Sequence, residues 1–175
     1  FHDPGTPIES LISKITGIDD SMVAGNEIDW SIVSKIVQNS DIIIAHNARF
    51  DRAFMDRYMP ASKDKIWACS VNDVDWLSRG FAKGSLELLS VWHGFYYDSH
   101  RAMNDVDALI HLVIHPSYKD NKPILEIIER SHMPYYNVIA LKSPYESKDI
   151  LKSNSYRWNS DKKYWWKRID KDEIE

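Results

Sequence analysis

The run Ile42-Ile43-Ile44-Ala45 offers no polar side chain to either face of an extended strand. Successive strand residues point to opposite faces, so a strand from Asp41 to Ala45 needs apolar cover above and below, as in a parallel sheet sandwiched between helices. The neighbouring chain supplies those helices. Ile32, Val33, Ile36 and Val37 form one stripe of a helix from about Asp29 to Gln38, and Phe50, Phe54, Met55 and Tyr58 mark another directly after the strand. Lys65 to Ser70 reads as a second strand. Helices are expected near Asn72 to Ser78, from a capping Ser85 through Trp92, and after Asp105, where Val106, Leu109, Ile110, Val113 and Ile114 keep three-and-four spacing. Upstream, Thr6-Pro7-Ile8-Glu9 has the form of a capping box with proline at the first helical position, and Ile8, Leu11, Ile12 and Ile15 give that helix an apolar face before Gly17 stops it. Strands alternating with helices predict an α/β layered fold with parallel strands.

Two polar clusters interrupt this pattern. His46-Asn47-Ala48-Arg49-Phe50-Asp51 sits where the first strand hands over to a helix, the place where open α/β sheets bind ligands. Ser99-His100-Arg101-Ala102-Met103-Asn104-Asp105 puts an imidazole one turn before a carboxylate at the mouth of an amphipathic helix. Asp105 borders the apolar stripe, where a carboxylate is costly unless hydrogen-bonded, paired or bound to metal. Plainer readings stand beside these: an Asx turn with Asp51 in the first helical turn, His100 as a cap, and Asp105 as an acid favoured by the helix dipole. Asp19 and Asp20 read as solvated acids at a helix start. His111 and His115 have a zinc-compatible spacing but no third ligand in view, and His2, His93 and His132 have no identifiable partner.

The stretches "HNARFD" and "HRAMNDVDA" resemble the second and third motifs of the DEDDh, or DnaQ-like, family of 3′–5′ exonucleases, to which the proofreading subunit of DNA polymerase III and ribonuclease T belong. Between them, "GSLELLSVWHGF" resembles the glycine and helix that precede the family's last motif, and "GIDDSMV" the loop after its first helix. The resemblance covers most of Phe1 to His115. It implies a ribonuclease H-like exonuclease fold and a two-metal-ion mechanism with Mg²⁺ or Mn²⁺. Asp51 and Asp105 would be metal-binding carboxylates, His100 the general base, Asn47 a residue shaping the site and Phe50 a surface for the terminal base. The partner implied is the 3′ end of DNA or RNA. One departure stands out: the family's first motif, Asp-x-Glu on an N-terminal strand, occurs nowhere in this sequence. That gap leaves open a catalytically inactive module that binds nucleic acid or protein.

The chain is 175 residues long, enough for one domain and a small appendage, and its 43% hydrophobic content rules out a disordered polymer. Boundaries are expected at 1–117 for the exonuclease-like domain, 118–134 for a linker helix and 135–175 for a small α+β appendage. In the last part, Pro123 to Arg130 reads as a helix, Val138 to Leu141 as a strand, and Ser143-Pro144-Tyr145-Glu146 as a capping box opening a helix to about Ser153. Tyr156-Arg157-Trp158 and Tyr164-Trp165-Trp166 then flank a hairpin turn. Tyr156, Trp158, Tyr164 and Trp166 are expected to form its core face, leaving Trp165, Lys163 and Lys167 to stack bases and neutralise phosphates. Charge divides accordingly: Phe1 to Ser117 carries 10 basic and 16 acidic residues, whereas Tyr118 to Glu175 carries 12 and 10. Cys69 is the sole cysteine, which excludes an intrachain disulfide, and no long apolar run marks a membrane span, so a cytoplasmic protein is expected. Two strands make a marginal sheet with an open edge, so Phe1 is expected not to begin the folded unit, and the 175-residue chain alone to show little nuclease activity until extended upstream.

Overall fold

Parallel pairing joins the two apolar strands, as the alternation of strands and helices predicts. In the computed structural model, which describes residues 1–160 and 162–171, β1 (Ile42–Ala45) runs in register with β2 (Ile66–Cys69), Ile42 opposite Ile66 and Ala45 opposite Cys69. Contacts divide the chain into two units, Phe1–Ser131 and His132–Glu175.

In the first unit, α1 (Ser10–Thr16), α2 (Asp20–Val23) and α3 (Trp30–Gln38) precede β1, and α4 (Ala48–Tyr58) follows it. A short 3-10 turn over Pro60–Asp64 leads into β2, and α5 (Leu86–Trp92), α6 (Ala102–Val113) and α7 (Pro123–Ser131) complete the unit. Its core is small and well sealed: Ala68 of β2, Leu89 of α5, Leu112 of α6 and Ile127 of α7 are fully buried, with Trp76, Val74 and Leu86 packed beside them. α7 is thus part of this core rather than a linker, and Glu126 fastens it by a 3.0 Å ion pair to the largely buried Arg79.

Several sequence expectations are corrected here. The Thr6 capping box does not form, because Asp20 takes the Ile8 N–H at 2.8 Å and the helix starts at Ser10. Turns replace a helix near Asn72 to Ser78: the Asp73 carboxylate accepts the Cys69 N–H at 2.6 Å, tying the chain to the strand end in competition with helical bonding. Ser85 precedes α5 without a side-chain capping bond. Most visibly, the stripe of α6 is only half used, for Leu109 and Val113 are buried whereas Val106, Ile110 and Ile114 are exposed. Leu11, Ile12 and Ile15 of α1 and Ile32 and Ile36 of α3 are exposed as well. Among the described residues no helix is long and apolar enough to cross a membrane.

The second unit is an antiparallel sheet of β3 (Tyr135–Ala140), β5 (Tyr164–Asp170) and β4 (Arg157–Asn159), in that order, with α8 (Lys148–Ser153) between β3 and β4. The hairpin is present, but Trp158 lies opposite Trp165 and Arg157 opposite Trp166. Opposed residues share a face, so Trp158 and Trp166 fall on opposite faces and the four aromatics expected to make one core face do not. The Ser143 box is also absent: the Ser143 hydroxyl turns back to the Ala140 carbonyl, and α8 opens at Lys148.

If α7 belongs to the core, Ile127→Ala should lower unfolding free energy by about 2–5 kcal/mol, whereas Ile128→Ala, at a 41% exposed neighbour, should cost well under half as much. Equal losses in chemical denaturation would contradict this packing.

Candidate active site

An apolar groove of about 1140 Å³ is lined by β1 and by α6 along its length, from Ala102 to Val113. Its walls are Ile43, Ile44 and Trp67 from the strands and Val106, Leu109 and Ile110 from α6. Its lining also includes Asn47, Phe50, Asp51, His100 and Asp105, five residues singled out by sequence, and His46, Glu87 and Tyr97, which were not.

Local backbone explains the convergence. Asn47 caps α4 in the left-handed region (φ 68°), which turns the chain sharply from strand to helix and sets Phe50 and Asp51 in the first turn. Its side chain makes no capping bond, while Ala48 beneath it is buried. Phe50 projects outward, 76% exposed. Across the groove, His100 is also left-handed (φ 67°), a conformation that costs a non-glycine residue about 1 kcal/mol or more and persists only where neighbouring contacts fix it. Two such contacts flank it: Arg101 donates to the Gly17 carbonyl at 3.0 Å, and the Asn104 amide to the Asp98 carbonyl at 3.0 Å. Asp105 follows in the first turn of α6, its N–H bonded to the Arg101 carbonyl.

Electrostatics give each group a state. Burial pushes the Asp51 carboxyl above the usual aspartate range. His46 is held below the usual imidazole range by burial, partly offset by the Gly84 backbone and the charge of Asp105, and its Nδ1 lies 2.8 Å from the hydroxyl of fully buried Ser70. Tyr97 is pushed far above the usual phenol range, first by burial and then by the charge of Asp105 and a hydrogen bond to it. The hydroxyl therefore stays protonated and donates to the Asp105 carboxylate. His100 Nε2 stands 3.6 Å from Glu87 Oε1. No lysine or arginine is among the lining residues.

Asp51 and Asp105 are hard oxygen donors of the kind divalent cations take, and the partly buried Asp51, whose charged form burial disfavours, suits a compensating cation. The described residues fill only part of such a shell, for among them no three His, Cys, Asp or Glu side chains lie close enough to hold an ion. The rings of His111 and His115 meet edge to face, and Phe95 packs edge to face on His111 and nearly parallel to His115. His93, without an identifiable partner in sequence, bonds to the Tyr118 hydroxyl and the Leu89 carbonyl. Lys163, Trp165 and Lys167 lie in the second unit: Lys163 is an exposed turn residue at φ 55°, and Trp165 packs its ring 5.5 Å from that of Trp158.

A raised carboxyl value has a definite sign. The protonated form fits the fold, so the stability it gives is complete at acid pH and is lost as pH rises through the raised value. Asp51→Asn should therefore raise Tm by about 2 °C at pH 7 in chelator and make no difference near pH 3. A lower Tm for the variant at pH 7 would show Asp51 to be structurally required.

Comparisons with known proteins find partial similarities. A stretch of 57 residues, 31% of the chain, is 39% identical to DNA polymerase III PolC-type of Caldanaerobacter subterraneus subsp. tengcongensis, of which it covers 4%. Over 119 residues, 64% of the chain, identity to DNA polymerase III PolC-type of Listeria monocytogenes is 29%, covering 8% of that protein, and the Streptococcus agalactiae counterpart is 36% identical over 59 residues, 32% of this chain and 4% of its own. The chain thus spans less than a tenth of the length of these relatives. No family model matches it, and no solved structure matches it.

Proposed function

We propose that the groove is part of a metal-dependent 3′–5′ exonuclease site that hydrolyses nucleic-acid phosphodiester bonds. The observation that carries this reading is that Asp51, His100 and Asp105, from two separate motifs, all line one groove. Partial similarity to PolC-type DNA polymerases supports a nucleic-acid substrate.

Asp51 and Asp105 would hold Mg²⁺ or Mn²⁺ through their carboxylate oxygens. Such ions, bound as a pair, supply Lewis acidity at the attacking and leaving oxygens of an in-line displacement. The chain's own groups do the remainder. His100 takes the proton of the attacking water, a task suited to an imidazole at neutral pH. Tyr97 orients Asp105 by its hydrogen bond. Asn47 fixes the turn that presents Asp51, and exposed Phe50 offers a surface to the terminal base.

The same reading extends to the fold. We take β1 and β2 as two strands of a larger ribonuclease H-like sheet; the exposed Val106, Ile110 and Ile114 and the absence of a further strand beside β1 among the described residues support this. In the second unit we assign Trp165, Lys163 and Lys167 an auxiliary nucleic-acid contact. Removing Tyr135 to Glu175 should then weaken oligonucleotide binding and flatten its salt dependence, and equal slopes with and without the segment would return it to a structural role.

Metal provides the decisive test. Mn²⁺ added to the purified chain should broaden the NMR signals of Asp51 and Asp105 before others, and Asp51→Asn with Asp105→Asn should abolish the effect. In the complete gene product, His100→Ala should lower turnover about a hundredfold with Mn²⁺ broadening retained. No selective broadening, or an unchanged rate in the histidine variant, would overturn the catalytic reading. Oligonucleotide binding without hydrolysis would then favour a non-catalytic exonuclease-like module, for which the incomplete ligand set already speaks.

A further inference from the structure

The lining of the groove contains one acid that neither metal ligation nor proton transfer uses. Glu87 occupies the first turn of α5, the helix whose Leu86, Leu89 and Ser90 are buried, so its backbone is rigidly placed. Its carboxylate faces the His100 ring across 3.6 Å, with each side chain about half exposed. The lining of the groove brings the two together although 13 positions separate them in sequence. On the other side, the loop bearing His100 is pinned at Arg101 and Asn104, and the backbone at His100 is left-handed. Backbone contacts therefore place the Cα of His100, but the ring is still free to turn about its own side-chain bonds. Arg101 points its guanidinium to Gly17, away from this task, and no lysine or arginine lines the groove. The other titratable groups lining it are His46, Asp51, Tyr97 and Asp105, of which His46 is engaged with Ser70 and Tyr97 with Asp105.

We propose that Glu87 is the positioning residue of His100: its carboxylate aims the imidazole and stabilises the imidazolium formed when His100 accepts a proton from water. The proposal rests on the exonuclease reading of the groove. A neutral imidazole gains a weak ion–dipole attraction at 3.6 Å; once protonated, it gains a full charge pair, so the contact is stronger after proton transfer than before it. Interactions that strengthen along the reaction raise turnover rather than substrate affinity. Because both side chains are half exposed and solvent screens the pair, the effect is modest, about tenfold in kcat.

Two measurements test this separately from the exonuclease reading. In the purified 175-residue chain, NMR should find contacts between the His100 ring protons and the γ-protons of Glu87, with a single ring orientation; Glu87→Ala should let the ring average over several orientations, and Glu87→Gln should restrict it in part. A ring equally mobile in the parent and in Glu87→Ala overturns the proposal. In the complete gene product with Mn²⁺ and a 5′-labelled single-stranded oligonucleotide, Glu87→Ala should lower kcat about tenfold with KM and Mn²⁺ broadening unchanged, Glu87→Gln should lie between, and Glu87→Ala should have no further effect when His100 is already alanine. An equal loss in the His100→Ala background, or a change in KM alone, overturns it. Should no form hydrolyse the oligonucleotide while the ring contact persists, the exonuclease reading fails and the catalytic role of Glu87 falls with it. A mobile ring in an active enzyme sinks the Glu87 assignment alone.

Discussion

The first unit depends on the covering of one short strand. Ala68 in β2 has no side chain beyond a methyl group and is fully buried, which lets α5, α6 and α7 close over the sheet through Leu89, Leu112 and Ile127. That closure fixes the start of α6, and with it Asp105. The other strand, β1, ends at Ala45, whose carbonyl accepts the Ser70 N–H at 3.0 Å and so keeps the two strand ends level. His46, Asn47 and the first turn of α4 leave from that level edge. Opposite walls of the groove are thus consequences of one packing arrangement, and a shift of β2 by one residue would carry both polar clusters away from each other.

Left-handed backbone and desolvation occur among the groove's polar residues, as they do elsewhere in the unit at Lys119, His115 and Tyr118. Asn47 and His100 are both non-glycine residues in the left-handed region, and Asp51 and His46 both lose solvation there. At the helix starts the unit resolves its acids conventionally: Asp19 and Asp29 cap α2 and α3 and are held below the usual aspartate range by the hydrogen bonds they accept. Costs that are avoided at the helix starts are tolerated in the groove, where the chemistry proposed for it would use them.

How much of this was legible in the sequence follows from the range of the forces involved. Periodicity located β1, β2, α3, α4 and α6 by local spacing, although much of the stripe that revealed α3, α4 and α6 is exposed. Boundaries and caps were less legible. At Thr6 and Ser143 the pattern of a capping box is present, but a distant Asp20 in one case and a turn back to Ala140 in the other took the groups that the box would have used. Asp51, His100 and Asp105 were readable because motif order announced them. Glu87 and Tyr97 were not, because nothing local marks an acid in a helix start or a tyrosine in a loop as facing a groove built from other elements. The division of aromatics in the second unit was hidden for a similar reason: register across the hairpin, not alternation within each strand, decides which of them meet.

The lining of the groove carries three carboxylates and no lysine or arginine. A phosphate chain approaching such a surface is repelled, unlike at an ordinary basic nucleic-acid interface, where monovalent salt competes with the protein. Screening should work in the opposite sense here: moderate sodium chloride relieves the repulsion at the groove while weakening contacts made by lysines elsewhere on the chain. Divalent cations act more sharply, since one ion cancels two of the fixed charges. Any polyanion that the groove takes would therefore have to enter together with its counterions.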